Sequence, residues 1–263
     1  MPNLRINNYN FYYEVYGKGD PIIFIHGLGS STLDWENQIP FFAQKYKVIV
    51  LDLRGHGNTG SVNGEYSINL FAADVAQLIT LLDVSSVHIV GISMGGMVGF
   101  QLVIDFPNLI KSLVVINSFV EIDLSISKNR RQLKLRKLIP RLLGMKIMGK
   151  IIGKKLFPDE RQAHLRQMIA ERWKENSVED YLKTVKAIEK WSGKNRLSEI
   201  NCPVLVVASE FDYTSIEEKA IYTKAMSFAE MVIIENSRHG VVFDQPDKLN
   251  QVIFDFLNLI GNL

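Results

Sequence analysis

A chain of 263 residues, 47% of them hydrophobic, is long enough for one large core or for a core that carries an inserted subdomain. A formal net charge of +2 is unremarkable, no run approaches the ~18 uncharged apolar residues of a membrane span, and Met1 to Tyr16 lacks the charged-then-apolar order of a signal segment. The expectation is a soluble, unexported, cytoplasmic protein, and the single cysteine, Cys202, excludes an internal disulfide and reads as a small buried residue entering a strand.

In chain order, apolar β-rich runs are expected at Phe11 to Tyr16, Pro21 to Ile25, Val48 to Leu51, Val87 to Val90 and Leu113 to Asn117, then at Val204 to Ala208 and Met231 to Glu235. Most are continuous rather than alternating, as in parallel strands buried on both faces. Between them, Ser67 to Leu82, Met94 to Phe106, Ser215 to Met226 and Pro246 to Ile260 have helical length and spacing. Such alternation specifies an α/β fold, a doubly wound and mostly parallel sheet. The middle of the chain has no strand-like run. It reads as helices near Lys128 to Leu142, Lys146 to Leu156, Asp159 to Glu175 and Ser177 to Ser192, punctuated by Pro140, Gly144 and Pro158. The expected division is therefore a core of residues 1–118 and 199–263 with a helical insertion at 119–198.

Charge follows the same division. From Val120 to Ser198 there are 20 Lys and Arg against 9 Asp and Glu, a net of +11, and the remainder has 10 against 19, a net of −9. A strongly basic middle sits on an acidic frame.

The chemistry-bearing residues fall at the ends of expected strands. After Val87 to Val90 comes Gly91-Ile92-Ser93-Met94-Gly95-Gly96, a G-x-S-x-G pattern in the strand, sharp turn and helix context of a nucleophile elbow. The pattern alone recurs by chance in roughly one chain in ten of this length, so the weight lies on its company. His26-Gly27-Leu28-Gly29 follows the run at Pro21 to Ile25, Ser209-Glu210-Phe211-Asp212 follows Val204 to Ala208, and Asn236-Ser237-Arg238-His239 follows Met231 to Glu235. Open α/β sheets gather ligands at the carboxyl ends of their strands, so these segments can converge. Ser93 as nucleophile, His239 as general base and Asp212 as its orienting acid make a complete set in the order Ser, Asp, His. Glu210 and Asp244 compete with Asp212 as the acid. His26 and His56 lie beside glycines in turns and read as structural, and no histidine has the spacing of a metal ligand, so neither metal nor cofactor is expected.

With those residues in place, the sequence resembles the α/β-hydrolase family, in particular its small serine esterases: carboxylesterases, enol-lactonases and pimeloyl-carrier-protein methyl esterases. The likeness extends over nearly the whole chain outside the insertion and includes Asp52-Leu53-Arg54-Gly55-His56-Gly57. It implies that the backbone N–H groups of Leu28 and Met94 form an oxyanion hole, that Asp212 is the acid of a G-E-x-D pattern in which Ser209 replaces Gly, and that the insertion is a cap over the site. The alternative acid position after the sixth strand holds Asn117, which cannot carry the charge. Arg238 departs from the Gly usual before the histidine, and points either to solvent or to a substrate carboxylate.

The activity this implies is hydrolysis of a carboxylic ester or thioester through an acyl-enzyme. Apolar residues of the insertion, among them Leu133, Leu142 and Ile152, are expected to line an acyl pocket, with the cations facing outward or ringing its mouth. A cationic mouth suits acyl carrier protein, in a step like that of biotin synthesis, or a small substrate with a distal carboxylate. The same basic amphipathic stretch also suits peripheral contact with an anionic membrane. Nucleic acid is not expected, because aromatic residues are sparse there. Two other classes stay open: a carbon–carbon bond hydrolase, although Ile92 and Gly240 stand where those enzymes commonly have Asn and Trp, and a non-enzymatic ligand-binding relative.

Overall fold

The computed structural model describes residues 3–7 and 9–261. Eight strands form one sheet: β1 (Asn3–Ile6), β2 (Tyr9–Tyr16), β3 (Asp20–Ile25), β4 (Tyr46–Leu51), β5 (Val87–Ile92), β6 (Ile110–Ile116), β7 (Val204–Ser209) and β8 (Ala229–Ile234). Their order is β1-β2-β4-β3-β5-β6-β7-β8, antiparallel at the β1-β2-β4 end and parallel from β4 to β8. β1 has no counterpart among the expected strands. It is a four-residue edge strand pairing only with β2, too short to leave a periodic signal.

The helices are α1 (Ile39–Phe42), α2 (Ile68–Leu81), α3 (Met94–Asp105), α4 (Ser127–Leu156), α5 (Ala163–Lys174), α6 (Val178–Lys190), α7 (Ile216–Lys224), α8 (Val241–Asp244) and α9 (Pro246–Gly261). The central parallel strands are largely apolar because both faces of the sheet are covered there. Successive residues of β3 alternate between two cores: Ile23 and Ile25 pack with α2 and α3, whereas Ile22 and Phe24 pack with Trp35, Phe42 and the α9 residues Leu249 and Ile253. Local chemistry sets the helix starts. Ser67 accepts from Leu70 N–H to cap α2, and Ser215 with Glu218 forms a capping box at α7.

Between β6 and β7 the chain is helical. Helix α4 bends at Gly144, which adopts φ 77° and ψ 171°, so the two helices expected on either side of that residue are continuous except for one kink. Leu133, Met145, Met148, Ile152, Phe157, Trp173, Tyr181 and Val185 form a separate hydrophobic cluster uniting α4, α5 and α6. This cluster stands over the carboxyl ends of the parallel strands and meets the rest of the protein through Leu28 and Phe243. Among the described residues, no helix is long and apolar enough to cross a membrane.

Candidate active site

Ser93 sits at the tip of the turn from β5 into α3 with φ 55° and ψ −116°, a conformation that costs a non-glycine residue about 1–3 kcal/mol. Surrounding hydrogen bonds hold it there. Ser93 N–H donates to Ile116 O at 2.8 Å, and Ser118 Oγ donates to Ser93 O at 2.6 Å. The flanking glycines are required by close approach: a Cβ on Gly91 would stand 2.2 Å from Gly95 O, and one on Gly95 would stand 2.0 Å from Ile25 O. The motif spacing is thus a packing condition for lifting the serine hydroxyl out of the sheet.

His239 and Asp212 come from the loops after β8 and β7. His239 Nδ1 donates to Asp212 Oδ1 at 2.8 Å. That bond orients the ring, with Nε2 facing the cavity. Asp212 is fully enclosed, and all its acceptor capacity is used: Tyr213 N–H adds a second bond to Oδ1 at 2.7 Å, while Lys219 Nζ and Thr214 Oγ1 donate to Oδ2 at 2.8 and 2.5 Å. Burial pushes this carboxyl up, but the His239 charge and hydrogen bond, and then the Lys219 ammonium, overcome burial and hold it well below the usual carboxylate range.

Asn117, in the left-handed region at φ 46°, binds these loops together. Its Oδ1 accepts from Ser209 N–H at 2.8 Å, and its Nδ2 reaches Ser209 Oγ at 2.8 Å and the carbonyls of Arg238 and His239, both at 3.3 Å. The residue that cannot serve as the acid instead anchors the loop that carries His239. Neither competing acid touches the imidazole. Glu210 accepts from Asn236 N–H, and Asp244 accepts from Ser237 Oγ and Arg238 N–H. Arg238 lies over the Phe211 ring, outside the cavity lining.

The remaining motif histidines are buried and neutral. Burial lowers His26 to about 4, and burial with the neighbouring His26 lowers His56 to about 3. His26 bridges Gly27 O and Leu53 N–H, which ties the Leu28 loop to the end of β4. Leu28 and Met94 line the same cavity as Ser93, and a Cβ on Gly27 would lie only 3.5 Å from Ser93 Cβ.

Four functional candidates escape sequence reasoning. Tyr213 stacks on His239 with centroids 4.1 Å apart, and its hydroxyl bonds Nε2 at 2.7 Å. Burial pushes this phenol well above its ordinary range, so it is a neutral donor to the nitrogen expected to meet Ser93, which faces the same hydroxyl. Its position directly after Asp212 is the one signal that could have marked it. Lys219 is fully buried beneath Asp212, four residues after the capping serine of α7. Arg136 and Lys155 of α4 both line the cavity, the first half-buried and the second exposed, so the cations divide between wall and mouth. The apolar assignment divides in the same way, with Leu133 and Ile152 lining the cavity and Leu142 and Leu143 exposed. The cavity encloses about 700 Å³ and joins Ser93 and His239 to α4, α5 and α7. Among the described residues, no group of acidic, histidine or cysteine side chains is arranged to hold a metal. Cys202 lies outside the lining, and burial raises its thiol to about 11.

The sheet, the elbow and the position of the site define an α/β-hydrolase, and comparison with known proteins agrees. The chain belongs to the alpha/beta hydrolase fold family, whose model matches residues 20–246. It is 27% identical over 254 residues to the (E)-2-((N-methylformamido)methylene)succinate hydrolase of Acinetobacter baylyi, covering 94% of each chain. It is 26% identical to 3-oxoadipate enol-lactonase 2 of the same organism, covering 92% of this chain and 90% of that one. In three dimensions it is similar to the enol-lactonase of Burkholderia xenovorans, with a TM-score of 0.90, 22% identity, and coverage of 98% of this chain and 100% of that one, a likeness of fold.

Proposed function

We propose that the protein is a serine hydrolase of carboxylic esters, including lactones, acting through Ser93, His239 and Asp212. The observation that carries this reading is the 2.8 Å bond from His239 to an enclosed, ionised Asp212 in the cavity that also presents the strained Ser93. In the first half-reaction Ser93 Oγ bonds to the carbonyl carbon and its proton passes to His239 Nε2. The negative charge that develops on the carbonyl oxygen is met by the N–H groups of Leu28 and Met94. The tetrahedral adduct then expels the alcohol, which takes the proton from His239, and water repeats the sequence on the acyl-enzyme. Relatives named as an enol-lactonase and as a hydrolase of a succinate derivative support an ester or related acyl bond as the target.

The segment of α4 to α6 serves as a cap. Its outer face combines exposed Leu138, Leu142 and Leu143 with Arg141, Lys146 and Lys150, which supports an acidic carrier protein or an anionic membrane as the source of substrate. The cations that line the cavity support a small acidic substrate. The testing experiment is hydrolysis of p-nitrophenyl esters from acetyl to dodecanoyl by the wild type and by Ser93→Ala. Turnover that depends on Ser93 is expected. Its absence across the series, together with turnover of a carbon–carbon substrate, would replace the ester reading.

Tyr213 gives a second outcome. Its hydroxyl occupies the acceptor site of the base and must leave before Ser93 can use it. One hydrogen bond has a net worth of about 0.5–1.5 kcal/mol, so Tyr213→Phe should raise kcat/KM about 2- to 10-fold. A fall of tenfold or more in steady-state assays would mean that the hydroxyl itself takes part in the proton transfers.

A further inference from the structure

About half of the cations of the basic segment are in ion pairs. Lys137 meets Glu189, Arg166 meets Glu160, Arg172 meets Glu36, Lys183 meets Glu179, and Lys146 and Lys174 share Glu171. Among the described residues, Arg136, Lys155 and Lys128 line the cavity that holds Ser93 without being in an ion pair, and the first two meet Tyr213. Arg136 lies at the hydroxyls of Tyr181, 3.3 Å away, and Tyr213. Lys155 Nζ stands 4.1 Å over the Tyr213 ring. Two like charges therefore converge on one tyrosine whose hydroxyl also contacts His239 and faces Ser93. Their proximity is unfavourable: desolvation and then the charge of Arg136 depress the Lys155 ammonium from its ordinary range, against the opposing charge of Asp212. The acids of the lining are engaged: Glu121 pairs with Lys194, Glu218 closes the capping box of α7, Asp34 is held by Ser30, and Asp123 accepts from Ser125 N–H.

We propose that Arg136 and Lys155 form a carboxylate subsite beside Ser93, so that the substrate is a small ester or lactone bearing a free carboxylate. This rests on the ester-hydrolase reading and names its substrate class. A planar guanidinium suits the two oxygens of a carboxylate, and the flexible ammonium of Lys155 supplies a second, adjustable charge. The carboxylate would replace the Tyr213 hydroxyl at Arg136, which would loosen the ring from His239 as substrate enters. Anion binding and exposure of the base to Ser93 would then be one event.

Two measurements separate this proposal from the reading beneath it. The first compares kcat/KM for monomethyl glutarate and adipate, and for O-acetylglycolate, with neutral methyl esters of matching length, in wild type, Arg136→Gln and the Arg136→Gln/Lys155→Gln pair. The second is calorimetric titration of Ser93→Ala, with and without the pair of substitutions, with glutarate, adipate and inorganic phosphate. Expected are a preference for the anionic esters of at least about tenfold in the wild type, lost in the double variant, and dicarboxylate binding weakened about tenfold or more by the same changes. Turnover of neutral esters without anionic preference or dicarboxylate binding would overturn the subsite and leave the esterase. Dicarboxylate binding that needs both cations, with no ester turned over, would keep the subsite and remove the esterase. Tighter binding of phosphate than of either dicarboxylate, or equal binding to both proteins, would also overturn it.

Discussion

Replacing Ser93 by alanine should lower kcat for p-nitrophenyl ester hydrolysis by roughly 10⁴- to 10⁶-fold while leaving the folded protein nearly as stable as before. The two halves of this expectation have separate causes. The turn at φ 55° is held through backbone groups, Ser93 N–H to Ile116 O and Ser93 O from Ser118 Oγ, and alanine keeps both. The strain is retained too, so the change in stability is about 0.5 kcal/mol or less. The hydroxyl, in contrast, is the only group removed, and in the proposed mechanism no other group supplies the nucleophile. Groups that act as a unit lose nearly everything when one is taken away, so His239→Ala should be about as damaging and the two losses should not add. Equal rates in wild type and Ser93→Ala would place the chemistry elsewhere.

The second large effect is on stability. Lys219→Met should destabilise the protein by about 3–5 kcal/mol at pH 7, because it leaves a carboxylate enclosed without its cation. All three donors of Lys219 are used, to Asp212 Oδ2 at 2.8 Å, Thr214 O at 2.8 Å and Thr214 Oγ1 at 2.5 Å. Thr214 Oγ1 donates a hydrogen bond to the same Oδ2, so the cluster is closed and no water can substitute at little cost. The sign with pH follows from Asp212. Its folded carboxyl is depressed, so its contribution is complete above the unfolded value of ~3.9 and is lost as pH falls through the lower folded value. The difference between wild type and Lys219→Met should be constant in urea unfolding at pH 7 and pH 5, and should shrink below about pH 4. Unchanged unfolding at pH 7 would mean that the pair is offset by its own desolvation.

The parallel strands are legible in the sequence because burial on both faces leaves uninterrupted Val and Ile runs, and the short edge strand Asn3–Ile6 is not because it pairs on one side only. The convergence of Ser93, Asp212 and His239 is legible because each follows the carboxyl end of a strand, where position in sequence determines position in space. Tyr213 and Lys219 are hidden for a different reason. Their importance lies in side-chain directions, and no local pattern tells a tyrosine after the acid to fold back over the histidine. Arg136 and Lys155 fall on the same helix as Lys137 and Lys154, and only the packing of α4 on α5 and α6 decides which cations face the cavity. The kink at Gly144 belongs to this group, since a glycine between helical runs marks a break without giving its angle.

The central claim is that an acyl group passes through Ser93, and the most direct test is to trap it. The protein is mixed with a p-nitrophenyl ester, quenched in acid within the first turnover, digested and read by mass spectrometry. The account predicts one acyl group per chain, located on Ser93 and absent from Ser93→Ala. An acyl group found on any other side chain, or steady hydrolysis with an unmodified Ser93 at every quench time, would contradict it.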